Sequence, residues 1–328
     1  MSNALSHETP IEPWDASADV SSPARERRPS ESPWALAWHR YRRHRAAVVS
    51  TVVLGLVVLV VVASPITTRY GVNEQVWPIS EGPNQNLPPS SDAWFGTDSI
   101  GRDLYSRLIV GIRTSLIIGL AAAVISVVFG TAVGAFAGLR GRWADDLLMR
   151  TADIFLAFPF LIAIILLREF LGGLSFLTPI LGEETSIRFI IVLFAIFGWM
   201  GVARLVRSQV VALKEREFVA AARAVGATDA RIAVRHLIPN SIGPILVALT
   251  LSVTAAIVGE ATLSFFGFGP QPGEDSTSLG ILVQLSRAGA TQGNWWLVLF
   301  PCGALVLLTV CIGFIGDGLR DAFDPRID

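Results

Sequence analysis

Lysine is almost absent from this sequence, because Lys214 is the only one among 328 residues. A nucleotide-binding P-loop needs a lysine that follows a glycine-rich turn and contacts the phosphates. Lys214 is preceded by Ala212 and Leu213 and is followed by Glu215, so the chain cannot bind ATP through that motif. The sequence also has no H-E-x-x-H motif and no G-x-S-x-G at a strand-to-helix turn. The sequence therefore lacks the residues that metalloprotease or hydrolase chemistry needs, and we predict no catalytic residue.

Cysteine and charge are scarce as well. Cys302 and Cys311 both fall inside one apolar run, which disfavours a disulfide scaffold or a metal cluster. Charged residues make up 16% of the chain, against about 25% in ordinary soluble domains. Too little charge remains to coat the two soluble domains that the length alone would suggest. The net charge of -1 argues against a basic nucleic-acid-binding surface, so no nucleic-acid partner is expected.

Long apolar runs take the place of charge. Three runs are uncharged and long enough to cross a bilayer at about 1.5 Å per helical residue, and three further runs carry charged residues. In chain order the six runs cover residues 46–63, 115–139, 147–167, 188–206, 238–268 and 294–316. A helical bundle can turn this apolar surface to lipid while satisfying its backbone polar groups internally. We therefore predict an all-α integral membrane protein with six transmembrane helices.

The segments between the runs predict the orientation of the chain. Residues 1–33 are rich in Ser, Pro, Glu and Arg and predict a disordered tail. With the N-terminus inside, most of the arginines fall in cytoplasmic segments, so both termini should be cytoplasmic. The predicted divisions are a cytoplasmic tail at 1–33, a first transmembrane helix with an extracytoplasmic loop and an interfacial helix at 34–113, a five-helix transmembrane domain at 114–317, and a cytoplasmic C-terminus at 318–328.

The inner segment before the fifth run predicts two short helices on the cytoplasmic face. An apolar stripe at helical spacing is formed by Phe218, Ala221, Ala222 and Val225. Gly226 offers a C-terminal stop, and Thr228 or Asp229 offers an N-cap for the second helix. Pro239 should break the chain before the next span. The helix pair could be a docking surface for a partner protein or a linker packed on its own bundle.

This segment resembles the cytoplasmic coupling loop of binding-protein-dependent ABC importer permeases, whose pattern is EAA, three residues, Gly, nine residues and I-x-L-P. The matching positions are Ala220, Ala221, Ala222, Gly226, Ile238 and Pro239. The sequence departs from the pattern with Ala220 in place of Glu, His236 in place of Ile and Ile238 in place of Leu. Two further stretches, WFGTDSIGRDLYSRLIVGIRTSL at 94–116 and GEATLSFFGFG at 259–269, are similar to segments of the C-type permeases of dipeptide, oligopeptide and nickel importers.

The resemblance implies the type I ABC importer permease architecture. It implies a non-catalytic subunit that forms half of a pathway for peptides delivered by an extracytoplasmic binding protein. The implied partners are a homologous B-type permease, two ABC ATPase subunits or one fused ATPase, the binding protein and the lipid bilayer of a bacterial inner membrane. ATP and Mg²⁺ would be bound by the ATPase subunits, with no cofactor on this chain. The alternatives are import of nickel complexes or another small solute, and an ion-coupled secondary transporter.

The resemblance and the charge pattern give the candidate site residues. We expect the ATPase-coupling loop at residues 207–240, with contacts from Glu217, Ala220, Ala221, Ala222, Gly226, Asp229 and Pro239. Asp153 and Glu260 are candidates for the translocation pathway, because a charge within an apolar run should face a partner charge or water. Asp153 could instead pair with Arg150 one turn away, and Glu260 could lie at headgroup level.

Two further patterns concern packing at the outer face and in the second span. The outer-face candidates are Asp98, Gly101, Arg102 and Asp103. Thr97 or Asp98 could cap an interfacial helix in which Asp103 and Arg107 pair at i, i+4, either beneath the binding protein or as an anchor for the second span. Small residues recur every four positions at Ser126, Gly130, Gly134 and Gly138. They predict a close helix-packing seam, either static or sliding during transport.

Overall fold

The computed structural model describes residues 33–76, 85–270 and 277–323, and the regular elements in these ranges are helices. Residues 1–32 of the predicted tail at 1–33 and the chain end at 324–328 lie outside the described residues, and Pro33 begins the first helix. Within the described ranges, five helices are long and apolar enough to cross a membrane, and a bent helix pair gives a sixth crossing if it counts as one. The prediction of an all-α membrane fold is confirmed.

The helices are numbered in chain order. They are α1 (Pro33–Arg43), α2 (Arg45–Val62), α3 (Ser64–Thr67), α4 (Leu104–Arg140), α5 (Arg142–Ala157), α6 (Phe160–Gly172), α7 (Thr178–Leu181), α8 (Ile187–Leu213), α9 (Glu217–Ala224), α10 (Asp229–Ile232), α11 (Ile238–Asn240), α12 (Ile242–Phe265), α13 (Leu279–Gln292) and α14 (Trp295–Phe323). The long apolar helices are α2, α4, α8, α12 and α14.

The second span starts earlier than the sequence predicted. Its helix, α4, runs without a break for 37 residues, so the interfacial helix that we expected before residue 114 is the first part of this span. The cap is Asp103, whose carboxylate accepts from the backbone N–H of Ser106 at 2.8 Å, and not Thr97 or Asp98. Arg107 pairs with Asp98 instead of Asp103, because the Asp103 carboxylate is used by the cap.

The run at 147–167 is not one straight helix. Helices α5 and α6 meet at an angle of 101° across Phe158 and Pro159. A proline cannot donate a backbone hydrogen bond and disfavours helical geometry in the residue before it. Phe158 accordingly has extended backbone angles, with φ -81° and ψ 140°. In place of the predicted straight third span, the structure has two helices bent at Phe158 and Pro159.

The segment between the predicted runs at 238–268 and 294–316 contains helix α13. Ser278 caps this helix by accepting from the N–H of Ile281 at 3.3 Å, and the helix ends at Gly293. Buried Leu279 and Leu282 pack with Trp296 at the start of α14. Helix α13 thus covers the outer end of the bundle in the described part of the chain.

The closest helix packing joins α4 to α8. A Cβ placed at Gly130 would lie 2.6 Å from the carbonyl oxygen of Trp199, and one at Gly138 would lie 2.7 Å from Cγ1 of Val210. Gly134 faces the Ala203 carbonyl even more closely. Side chains at these positions would separate the two backbones, so the glycine seam holds α4 and α8 together.

Candidate functional site

Helix α9 ends in a turn that requires glycine. The N–H of Gly226 donates to the Arg223 carbonyl at 2.9 Å, and the N–H of Ala227 donates to the Ala222 carbonyl at 3.0 Å. This pair of bonds is the Schellman pattern, in which the residue after the helix adopts the left-handed conformation. Gly226 has φ +81°, and the space around a Cβ at this position is open. The requirement for glycine is therefore conformational and not steric.

The second half of the predicted helix pair starts at Thr228, whose hydroxyl accepts from the N–H of Arg231 at 3.3 Å. A π-helical turn at Ala233–Leu237 follows α10 and leads into α11. Pro239 lies in the first turn of α11, where its missing N–H is tolerated, so the predicted break is displaced to Ser241. The predicted loop at 207–240 also begins inside α8, which continues to Leu213.

The helix pair is attached to the bundle by residues outside the predicted stripe. Val219, Ile232 and Leu237 are fully buried in one cluster with residues of α8 and α12. Most of the stripe points away from the bundle, because Phe218, Ala221 and Val225 are exposed, whereas Ala222 is half-buried. The sequence left open whether the helix pair is a docking surface for a partner protein or a linker packed on its own bundle. In the described residues, one face of the pair packs on the bundle and the opposite face is exposed. We call this exposed face, residues 217–231, the coupling surface.

The predicted coupling residues lie mainly on this surface. Glu217, Ala220, Ala221, Gly226 and Asp229 are exposed. Ala222 is half-buried and packs against the cluster that anchors the pair. Pro239 is also exposed, but it lies beyond the π-helical turn and outside the coupling surface.

A groove of about 840 Å³ lies between α8 and α12. Its walls include Gly198, Gly201 and Val202 of α8 and Gly243, Val247 and Ala248 of α12. Arg320 and Phe323, near the end of α14, lie at the same end of the groove as Asn240. The sequence analysis did not predict the groove, although the closely spaced glycines of α8 were a usable signal for an open helix face.

Asp153 and Glu260 do not occur among the described residues that line this groove. Asp153 forms an ion pair with Arg204 of α8 rather than with Arg150, and both side chains are exposed. A second ion pair joins the same two helices, where Arg207 Nε donates to Asp145 Oδ1 at 2.7 Å. Helix α5 is thus tied to α8 by charges in the C-terminal half of α8.

Glu260 is completely buried at the outer end of α12. Three hydroxyls from three elements donate to its carboxylate. They belong to Ser115 of α4 at 2.8 Å, Ser264 of α12 at 2.8 Å and Ser278, the cap of α13, at 2.7 Å. The Ser115 hydroxyl also accepts from the N–H of Leu279 at 3.1 Å. Glu260 therefore connects three helices, and its partners in the described chain are hydroxyls and not a partner charge, which was one of the surroundings that we expected.

The outer-face candidates form a folded turn with its polar groups paired internally. The Asp98 carboxylate accepts from the backbone N–H and from Nε of Arg102, at 3.0 and 2.8 Å, and from Arg107 at 2.5 Å. Gly101 has φ +82° within the turn. The Trp296 indole N–H donates to the Thr97 carbonyl at 3.4 Å, which joins this turn to α14. Asp98 and Asp103 are buried, so in this chain they stabilise the outer cap.

Comparisons with known proteins match most of this chain. Residues 130–328 match the family described as binding-protein-dependent transport system inner membrane component, and residues 32–89 match the N-terminal TM domain of oligopeptide transport permease C. A dipeptide transport system permease protein of Bacillus subtilis is 36% identical over 301 residues, which cover 92% of this chain and 88% of the relative. An oligopeptide transport system permease protein of the same organism is 36% identical and covers 95% of this chain and 96% of its own length.

A solved structure supports the fold independently of these sequences. The inward-facing MetNI methionine ABC transporter contains a chain with a TM-score of 0.51 at 20% identity, covering 66% of this chain and 96% of that chain. At this identity the likeness shows the fold alone. The family match, in contrast, covers more than half of the residues, and the two Bacillus relatives cover nearly all of them. This chain therefore belongs to the family of inner membrane components of binding-protein-dependent transport systems.

Proposed function

We propose that this chain is the non-catalytic permease subunit of an ATP-driven peptide importer in a bacterial cytoplasmic membrane. The family membership supports the permease role, and the relatives named as dipeptide and oligopeptide permeases support peptides as the substrate class. A homologous B-type permease would supply the other half of the pathway, and an extracytoplasmic binding protein would deliver the peptide. Both termini would be cytoplasmic.

One observation carries the mechanism. The buried cluster that anchors the cytoplasmic helix pair also contains Val202 of α8 and Ala248 of α12, and these two residues line the groove. A force on the coupling surface therefore reaches both walls of the groove through close-packed side chains, which transmit displacement because the interior has little free volume. ABC ATPase subunits, either two or one fused chain, would bind ATP and Mg²⁺ and supply that force.

Gly226→Asp tests this coupling role, with Gly293→Asp as the matched control. Both glycines have positive φ and open space around a Cβ, so the two substitutions impose similar backbone strain, but on opposite faces of the proposed bundle. The chain would be reconstituted with candidate ATPase subunits, the B-type permease and the binding protein. We expect Gly226→Asp to lower ATP-driven uptake of a labelled dipeptide at least about tenfold and to reduce the amount of co-purified ATPase.

The control variant should retain the ATPase and insert normally. Wild-type ATPase recovery and uptake in the Gly226→Asp variant would contradict the coupling role. Uptake that follows a proton gradient and ignores ATP would reject the ABC mechanism in favour of an ion-coupled transporter. Competition by nickel complexes, but not by unlabelled peptides, would reassign the substrate. Labelling of a cysteine placed at residue 226 from outside intact cells would contradict the proposed orientation.

A further inference from the structure

Helix α1, which precedes the first span, is fixed to the end of α14. Its buried residues Ala37 and Tyr41 form a cluster with Ala322 of α14, against which Phe323 also packs. The Trp34 ring meets the Phe323 ring edge-on, with centroids 5.4 Å apart. These contacts place α1 at the same end of the bundle as the mouth of the groove, because Phe323 also lines the groove.

Helix α1 does not extend the first span in a straight line. The Tyr41 hydroxyl lies 2.6 Å from the Thr51 hydroxyl of α2. Ten residues of one straight helix would separate the two positions by about 15 Å along the axis, which is too far for this contact. The helix is interrupted at His44, with φ -79° and ψ 90°. Helix α1 therefore folds back beside the first turns of α2.

The outer side of α1 combines indole rings with arginines. The Trp38 side chain is 63% exposed, and Trp34 is also exposed. Arg42, Arg43 and Arg45 are exposed as well, and the described part of the chain shows no ion pair for them. Indole rings favour the boundary between lipid and water, and the arginine fork matches the geometry of phosphate.

The position of the first lipid-facing residues sets the depth of this surface. Val49 and Val52 of α2 are 61% and 57% exposed, so the apolar surface that must face lipid begins about one turn after Arg45. The arginines consequently lie at the level of the headgroups, where phosphates are the available anions. A protein partner at this depth would have to displace lipid from the start of the span.

We propose that α1, with Arg45 at the start of α2, is a docking site for anionic phospholipids of the inner leaflet. The inference rests on the inward orientation given under the proposed function. Trp34 and Trp38 would sit in the interfacial layer, and the three arginines would contact lipid phosphates. Because Trp34 also touches Phe323, bound lipid would stabilise the position of one residue at the mouth of the groove.

Lipid retention tests the site directly. The purified full chain would be incubated with mixed phosphatidylglycerol and phosphatidylcholine and then delipidated stepwise. Native mass spectrometry would measure the lipid that stays bound. The triple variant Arg42→Gln, Arg43→Gln, Arg45→Gln should retain phosphatidylglycerol about tenfold less well than the wild type, since each basic residue near an anionic surface contributes measurably. The control variant Arg231→Gln, Arg235→Gln, which removes exposed arginines away from α1, should retain it normally.

The outcomes separate this site from its alternatives. Equal loss of phosphatidylglycerol in both variants, or equal retention in all three proteins, would overturn the proposal. Release of the lipid by millimolar inorganic phosphate would also overturn it, because the site would then recognise free phosphate. A spin label at residue 38, in a background without Cys302 and Cys311, should be accessible to oxygen and shielded from a water-soluble nickel complex.

A water-like accessibility at residue 38 would contradict the interfacial position. ATP-driven uptake by the same chain, reconstituted with the ATPase subunits, the B-type permease and the binding protein, keeps the two proposals apart. Normal uptake with no preference for phosphatidylglycerol would reject the lipid site alone. Preferential retention of phosphatidylglycerol by a chain that shows no ATP-driven uptake would support the lipid site and count against the proposed function.

Discussion

Replacement of Glu260 with alanine is expected to destabilise the outer end of the bundle by several kcal/mol. The carboxylate accepts from Ser115, Ser264 and Ser278, and the last of these caps α13. Without the carboxylate, Ser264 can still turn to the carbonyl of residue 260, four positions earlier in its helix. The Ser115 and Ser278 oxygens are held in place because they accept from the N–H groups of Leu279 and Ile281, so these two hydroxyls would lose their acceptor inside the protein.

The magnitude follows from these two donors. A buried polar group left without its partner costs about 1 to 3 kcal/mol, so the two hydroxyls give about 2 to 6 kcal/mol. Removal of a buried charge also recovers its desolvation cost, which offsets part of this loss. We expect a net destabilisation of about 2 to 4 kcal/mol for Glu260→Ala. Glu260→Gln keeps the shape and one acceptor oxygen, and should cost about 1 to 2 kcal/mol.

Cys311 provides the assay. Its side chain is 5% exposed in α14, so a thiol-reactive fluorophore should label it only when the bundle opens. A Cys302→Ala background removes the second thiol, and titration with denaturant in micelles then gives the free energy of unfolding. Val258→Ala, on the exposed side of the same helix, is the control and should cost less than about 1 kcal/mol. Equal stabilities of Glu260→Ala and Val258→Ala would refute the structural role of the carboxylate.

Two further predictions use the same assay. Gly134→Leu should lower the free energy of unfolding by about 3 kcal/mol or more and separate α4 from α8, because its Cβ would collide with the Ala203 carbonyl. The control Gly313→Leu has open space around its Cβ and should be nearly neutral. Similar losses of stability in the two variants would contradict the glycine seam. Asp145→Asn should lower the free energy of unfolding by only about 0.5 to 1 kcal/mol, since the ion pair of Asp145 with Arg207 is partly solvated. The double variant Asp145→Arg, Arg207→Asp, which swaps the charges, should recover most of that loss at low salt. A loss that high salt leaves unchanged would show that the pair acts through packing.

The long spans could be predicted from the sequence because each requires only a long uncharged run. That rule depends on the thickness of the bilayer and not on tertiary contacts. Helix α13 could not be found in this way, since it is too short and too polar for a span and follows a turn-rich stretch. Its cap, Ser278, donates to Glu260, 18 residues earlier, and Leu279 donates to Ser115, 164 residues earlier. Such contacts leave no periodic signal in the chain.

The ion pairs show a second limit of local reasoning. The i, i+4 rule paired Asp103 with Arg107, but the rule holds only when both residues are within a helix. Asp103 has an extended backbone, with φ -66° and ψ 120°, and its carboxylate caps α4. Arg107 turns instead to Asp98, which the fold of the outer turn brings near. A cap and an ion-pair partner are alternative uses of one carboxylate, and the sequence does not show which is chosen.

The positions of the tight and open contacts indicate where motion can occur. The glycine seam leaves α4 and α8 little freedom to move apart, because their backbones touch at Gly130 and Gly134. The groove separates α8 from α12 over the same depth, so fewer side chains there must repack when the two helices move. The cytoplasmic helix pair is anchored to both helices through one cluster. We therefore expect a force on the coupling surface to change the α8–α12 separation and to leave the α4–α8 seam intact.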